Sequence, residues 1–244
     1  MMILVVGATG ATGRLLVQQL LGRGQTVKVI VRSPERLPEA TRSHEGLSVV
    51  HADLLDLADA ELAQHVKGCA AVASCLGHTL SWKGIYGRPR GLVGDATRRL
   101  CDAIAANRPQ RPTKFVLMNT AGNSNRDLHE PQTLGERVVI GLVRALLPPH
   151  VDNERAADYL RVRIGRNHAF VEWVVVRPDT LIDENEVTAF ELHPSPIRSS
   201  VFNAGKTSRV NVGDFMATLI TDDDLWHRWR GQMPVIYNTQ PGIA

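Results

Sequence analysis

Apolar runs of strand length alternate with segments of helical period along most of the chain. Met2 to Val6, Thr26 to Val31, Leu47 to Val50, Ala70 to Cys75, Phe115 to Asn119 and Trp173 to Val176 are rich in β-branched residues and show no strict polar alternation. That is the pattern of strands buried on both faces. Between them, Gly13 to Leu21, Ala58 to Val66, Gly91 to Asn107, Leu134 to Leu147 and Asn153 to Gly165 repeat apolar positions at helical spacing. The alternation predicts an α/β fold built on a doubly wound parallel sheet.

After Pro178 the rhythm gives way to shorter pieces. Val187 to Leu192 reads as a strand, His193 to Ile197 as a Pro-rich loop, Val212 to Thr221 as a helix with Asp214 near its start, and Val235 to Asn238 as a last short strand. The expectation is one domain over residues 1–244, in which residues 179–210 and the 78–92 loop form a small C-terminal, substrate-side lobe. A lobe at the carboxyl edge of a parallel sheet covers the ligand crevice.

Directly behind the first strand stands Gly7-Ala8-Thr9-Gly10-Ala11-Thr12-Gly13, and a helix opens at its end. The glycines permit a tight turn and close backbone approach, so that main-chain N–H groups and the positive helix end can hold a pyrophosphate. A lone GxxGxxG is a weak signal, since such turns also serve only to pack a helix on a strand. In a strand-turn-helix context it points to dinucleotide binding through Gly7, Thr9, Gly10, Ala11, Thr12 and Gly13.

The end of the second strand separates the two nicotinamide cofactors. A carboxylate there binds a ribose 2′-OH, whereas an Arg favours a 2′-phosphate. Arg32 stands at that position, followed by Ser33, Pro34, Glu35 and Arg36. Arg32 and Arg36 can both reach a phosphate, which predicts NADP(H) over NAD(H), with Glu35 arguing the other way. The alternative is a solvated strand end with Ser33 as a cap and Pro34 opening a helical turn. Behind the third strand, Asp53 and Leu54 would flank an adenine, or Asp53 would serve as a turn residue. Behind the fourth, Leu76 and Gly77 let the backbone approach the middle of the cofactor. His78 follows, placed near ribose or substrate, or simply bonded within its loop.

Composition narrows the partners. With 244 residues, 43% hydrophobic content and a formal net charge of +3, the chain can bury a full core. Its Arg residues are scattered singly, which argues against nucleic acid. No apolar run approaches the roughly 18 residues that a spanning helix needs, and no membrane partner is expected. Three cysteines without CxxC spacing suit reduced thiols in a cytoplasm and no metal site.

Together the GATGATG loop, Val31-Arg32 to Leu37-Pro38, Ala52-Asp53-Leu54, Leu76-Gly77, Asn119-Thr120-Ala121-Gly122, Arg177-Pro178 and Ser208-Arg209-Val210 leading to Asp214-Phe215-Met216 resemble the atypical short-chain dehydrogenase/reductases. The likeness is to the NmrA-like group and, within it, to the biliverdin-IXβ reductase type, which also reduces flavins. The resemblance implies a Rossmann-type fold, NADP(H) as cofactor and hydride transfer to a planar conjugated small molecule such as a flavin, quinone or tetrapyrrole. It places Thr120 at the hydroxyl position near nicotinamide and substrate. His78 and Asp179, which follows Arg177-Pro178, are the further catalytic candidates. Trp82, Tyr86, Arg88 and Arg90 would stack on and pair with an anionic planar substrate, or pack against the lobe, and the Asn123 to Asp127 loop would form the opposite wall.

One departure is plain. Ordinary members of the superfamily protonate substrate through a Tyr with a Lys four residues later. Here Tyr86 is followed at that spacing by Arg90, Tyr159 by Arg163 and Tyr237 by Pro241, and Asn153 stands where the family Lys is expected. Two functions therefore stay open: a reductase whose product takes its proton from water, and a non-catalytic NADP(H)-binding redox sensor of NmrA type. Monomer and homodimer are equally compatible with the sequence.

Overall fold

The computed structural model describes residues 1–78, 82–87, 89–130 and 132–239. Six strands, β1 (Met2–Val6), β2 (Thr26–Val31), β3 (Leu47–His51), β4 (Ala71–Ser74), β5 (Thr113–Met118) and β6 (Val171–Pro178), run parallel in the order β3-β2-β1-β4-β5-β6. Four short strands follow: β7 (Thr180–Ile182), β8 (Phe190–His193), β9 (Lys206–Ser208) and β10 (Val235–Asn238). β10 adds parallel to β6, and β8 closes that edge antiparallel to β10. β7 and β9 pair as a separate two-stranded sheet.

Alternate residues of one strand feed two cores, which is why no polar alternation marks the sequence. Ile3 and Val5 pack among residues of α1 (Ala11–Gly22), α8 (Arg209–Thr221) and α9 (Asp223–Trp229). Leu4 and Val6 pack on the opposite face, among residues of α3 (Asp59–Val66), α5 (Leu92–Ala106) and α7 (Pro148–Asp158). Three further helices lie outside these layers: α2 (Glu39–Arg42), α4 (Trp82–Tyr86) and α6 (Leu134–Leu146).

Several boundaries depart from the sequence expectation. Helix α8 begins at Arg209 because the Ser208 side chain accepts from Asn211 N–H, so Asp214 lies past its first turn. There it bonds the Arg23 guanidinium at 2.6 Å and ties α8 to the end of α1. Pro148 opens α7 directly behind Leu147, a position that wastes no hydrogen bond because the first helical N–H has no partner anyway. Helix α9, which short length hid, starts where the Asp222 carboxylate accepts from Leu225 N–H. Trp82 to Tyr86, expected as loop, is one helical turn. Residues 179–210 divide between the main sheet, through β8, and the small β7–β9 pair.

Candidate cofactor and substrate site

The strand order reverses between β1 and β4, and in a sheet of this kind a crevice opens at the carboxyl ends on either side of that point. A cavity of about 160 Å³ lies there, lined by Gly7, Thr9 and Gly10 from the first turn, Arg32 and Arg36 behind β2, Asp53 and Leu54 behind β3, and Leu76 and Gly77 behind β4. Nine of the twelve residues expected to hold a cofactor thus meet in one place. Ala11, Thr12 and Gly13 form the first turn of α1 beside it.

Glycine is required at two of these positions. Gly7 has φ +77°, and a side chain on it would bring Cβ within 2.5 Å of the Cys75 carbonyl carbon. A Cβ on Gly13 would overlap the Gly7 carbonyl oxygen and lie 2.8 Å from its carbon. Packing of β1, β4 and α1 therefore leaves room for backbone alone, and the turn is pinned by Gly10 N–H donating to the Gly7 carbonyl at 3.0 Å. Gly10 is the N-cap of α1, no side chain caps the helix, and no acid lies in its first turn. Its free amide donors and positive end suit an anion. These features fit the diphosphate of a dinucleotide.

The β2 exit is shaped for a second anion. The Arg32 side chain is 68% exposed, with its guanidinium 3.7 Å from Asp53 Oδ2, and its carbonyl is held by His51 Nε2 at 3.1 Å. Pro34–Arg36 form a single 3-10 turn; Ser33 precedes it but makes no capping hydrogen bond. Glu35 is exposed and does not line the cavity. Asp53 serves in two ways: Oδ1 accepts Leu55 N–H at 3.0 Å as a turn residue, and the same side chain forms part of the cavity wall. That wall is held from behind by Arg99 of α5, which donates to the carbonyls of Leu54 at 2.9 Å and Leu55 at 2.7 Å.

The three catalytic candidates are held by different elements. The Thr120 hydroxyl, just past β5, accepts Gly122 N–H at 3.3 Å. Asp179, just past β6, accepts Gly205 N–H at 2.8 Å, and burial pushes its carboxyl above the usual range. His78 is drawn into the seam between α5 and α7, with Nε2 2.8 Å from Asp152 Oδ2. Asp152 is itself buried and caps α5 by accepting Val93 N–H at 2.8 Å and Gly94 N–H at 3.0 Å. His78 is thus bonded across to α7.

Two further cavities stand out among the described residues. One of about 450 Å³ is lined by Ala121, Gly122 and Ser124 behind β5, by Glu136 and Ile140 of α6, and by Ile197 and Arg198. The other, of about 960 Å³, lies beside β7, β9 and β10 and includes Gly205, Tyr237 and again Ile197 and Arg198. The loops between them are fixed by Arg177, fully buried on β6. Its guanidinium donates to Glu130 Oε1 at 2.8 Å, to the Asn123 carbonyl at 2.9 Å, to the Pro194 carbonyl at 3.1 Å and to the Met233 carbonyl at 2.6 Å. The expected Asn123 to Asp127 wall is accordingly structural at Asn123 and Asn125, both buried, while Ser124 faces the cavity. Of the aromatic and cationic loop, Trp82 is 81% exposed; Arg88 lies outside the described residues.

Helix α7 carries no Tyr and no Lys. Asn153 stands at the position of the expected Lys, and its main-chain carbonyl accepts from the Asn119 side-chain amide at 2.9 Å. His150 lies beside Gly122, 3.4 Å from Glu154 Oε1, and burial lowers its pKa, leaving the ring neutral at neutral pH. Tyr159 donates to Asp102 Oδ1 at 3.2 Å, and burial raises its pKa, so it holds its proton. The cysteines are free thiols, with burial pushing Cys75 up to about 12. Among the described residues no cluster suits a metal ion, and no helix is long and apolar enough to cross a membrane.

Comparison with known proteins places these features. The chain is similar to the oxidoreductase ylbE of Lactococcus lactis (TM-score 0.70, 17% identity, 98% of this chain and 92% of that one). It is similar to a short-chain dehydrogenase/reductase of Veillonella parvula solved in complex with NADP (TM-score 0.69, 16% identity, 99% and 95%). It also resembles a Streptococcus pneumoniae protein provisionally named an NADH-flavin reductase (TM-score 0.65, 18% identity, 98% and 100%). These likenesses establish the Rossmann-type fold. In sequence it is 32% identical over 118 residues to an uncharacterized chloroplastic protein of Arabidopsis thaliana, a match that spans 48% of this chain and 40% of that protein. The model of the NAD(P)H-binding family matches residues 7–223, from the first glycine of the turn to the start of α9, and the chain belongs to that family.

Proposed function

We propose that the protein is an NADPH-dependent reductase that passes hydride to a planar conjugated acceptor of flavin, quinone or tetrapyrrole type. One observation carries the choice of cofactor: Arg32 and Arg36 both line the cavity at the β2 exit, where no carboxylate of that exit joins them. The turn from Gly7 to Gly13 and the open N-terminus of α1 would hold the diphosphate, Arg32 and Arg36 the 2′-phosphate, and Asp53 with Leu54 the adenine. When bound, the nicotinamide supplies the hydride, and the protein's contribution is to position and to exclude water. The Thr120 hydroxyl offers a donor and acceptor at the β5 exit. The walls of the 450 Å³ cavity, Gly122, Ile140 and Ile197, suit the faces of a flat acceptor, and Arg198 suits an anionic edge. With Tyr159 holding its proton on Asp102, the reduced product would take its proton from water.

A second reading is favoured by α7, which carries no Tyr and has Asn153 where a Lys would be needed. On that reading the protein senses the NADP(H) ratio and regulates a partner. Following the loss of reduced-nicotinamide absorbance with flavins, quinones and tetrapyrroles separates the two. Oxidation of NADPH with at least one acceptor supports the reductase; tight binding with no turnover on any of them supports the sensor.

A further inference from the structure

Helix α7 lacks the Tyr and Lys of ordinary superfamily members, yet it carries a titratable pair at the same spacing of four. His150 stands in its first turn and Glu154 one turn on, displaced by one residue from Asn153, with His150 Nε2 3.4 Å from Glu154 Oε1. Residues so spaced share one face of a helix. The helix is tied to the β5 exit, where Thr120 stands, by the Asn119 amide that donates to the Asn153 carbonyl at 2.9 Å.

Gly122 shows what lies between the helix and that exit. A Cβ at this position would stand 3.7 Å from His150 Cε1 and 3.7 Å from the Thr120 hydroxyl oxygen. The absent side chain leaves a space of atomic size bounded by an imidazole and a hydroxyl, and Gly122 itself lines the 450 Å³ cavity. His150 Nε2 is buried and makes no hydrogen bond, which costs stability until a partner arrives. Glu154 Oε2 is taken by Arg144 of α6 at 2.9 Å, with Arg126 of the loop behind β5 3.9 Å away, so Oε1 is left to the imidazole. Burial lowers the pKa of the ring, Glu154 works against it and Arg144 adds to it. In a Tyr–Lys pair a cation draws a phenol down toward neutrality; here an anion draws a buried imidazole up toward it.

We propose that His150, with Glu154 as its positioning partner, hands the acceptor the proton that reduction requires, a role that rests on the reductase reading. As the acceptor receives its hydride, the electron pair displaced onto a heteroatom beside Gly122 takes the proton from imidazolium Nε2. The N–H bond breaks, the ring becomes neutral, and a proton drawn from water restores it. The Thr120 hydroxyl holds the same heteroatom from the other side.

The test is NADPH turnover with FMN, menadione and biliverdin from about pH 5 to 8 for the wild type, H150Q and G122A, alongside NMR titration of the His150 ring in the wild type and E154Q. Because the protonated ring is the active form, wild-type kcat should fall as pH rises through the ring's pKa, which lies below the ordinary histidine value. H150Q should lower kcat at the acid end about a hundredfold and flatten the profile, with unchanged melting. G122A, whose methyl would meet its neighbours at ordinary contact distance, should lower kcat about tenfold by filling the space. In E154Q the ring should titrate lower still. If H150Q fails to fold, G122A and E154Q decide. A wild type that oxidises NADPH while H150Q and G122A keep its rate and profile, or an E154Q ring that titrates like the wild type, would overturn the assignment and leave the reductase standing. No oxidation by the wild type with any acceptor would remove the reductase reading and the assignment with it.

Discussion

Arg177 shows how much can rest on one side chain. A fully buried guanidinium is costly to desolvate, and what holds it here is complete use of its fork: a carboxylate and three carbonyls from four separate segments. Glu130 is as dependent on the pair, since it is buried and otherwise accepts only Asn125 N–H among the bonds described. R177M would strand that carboxylate and should cost about 3–5 kcal/mol of stability in urea unfolding, whereas R177M/E130Q should recover part of the loss. The sequence showed Arg177 only as half of an Arg-Pro motif. Its partner lies 47 positions away and no local pattern connects them. Arg32 was legible because its meaning is positional: the residue that follows the second strand faces the cofactor crevice in a fold of this kind.

At the scale of elements, the α5–α7 seam organises the site from behind. Asp152 satisfies two amides in the first turn of α5 and engages His78. A cap of this kind contributes about 0.5–2 kcal/mol, and stranding buried donors adds to the loss. D152A should lower the melting temperature and loosen the first turn of α5, seen as faster amide exchange at Val93 and Gly94; D152N, which keeps one oxygen, should fall between. The long strands and helices were readable because periodicity over ten or more residues is a strong signal. Helix α9 and strands β7 and β9 are too short to show a period, and α6 hid its orientation: helical spacing says which residues share a face, not whether that face meets core or solvent.

For the molecule as a whole, the two halves of the site differ in kind. The cofactor half is built from consecutive residues at the ends of four adjacent strands, so each short segment announces its place, and the sequence located the cavity that the fold forms. The proposed acceptor half draws on Ala121 and Gly122 behind β5, Glu136 and Ile140 of α6, and Pro196 to Ser200, brought together by Arg177 and by the turn of α6. Beyond Ala121-Gly122, none of these segments carries a motif that points to a ligand. The same division explains why fold and cofactor class are settled by family membership while the acceptor is reached only by argument from cavity walls.

The central claim, that a phosphate site beside Gly7 to Gly13 selects NADPH through Arg32, is tested most directly by calorimetric titration of the wild type and R32A with NADPH and NADH. The wild type should bind NADPH more tightly, and loss of one charge-assisted bond, worth about 1.5–3 kcal/mol, should cut NADPH affinity roughly tenfold or more while leaving NADH nearly unchanged. Equal affinity of the wild type for the two cofactors, or equal loss of both in R32A, would contradict it.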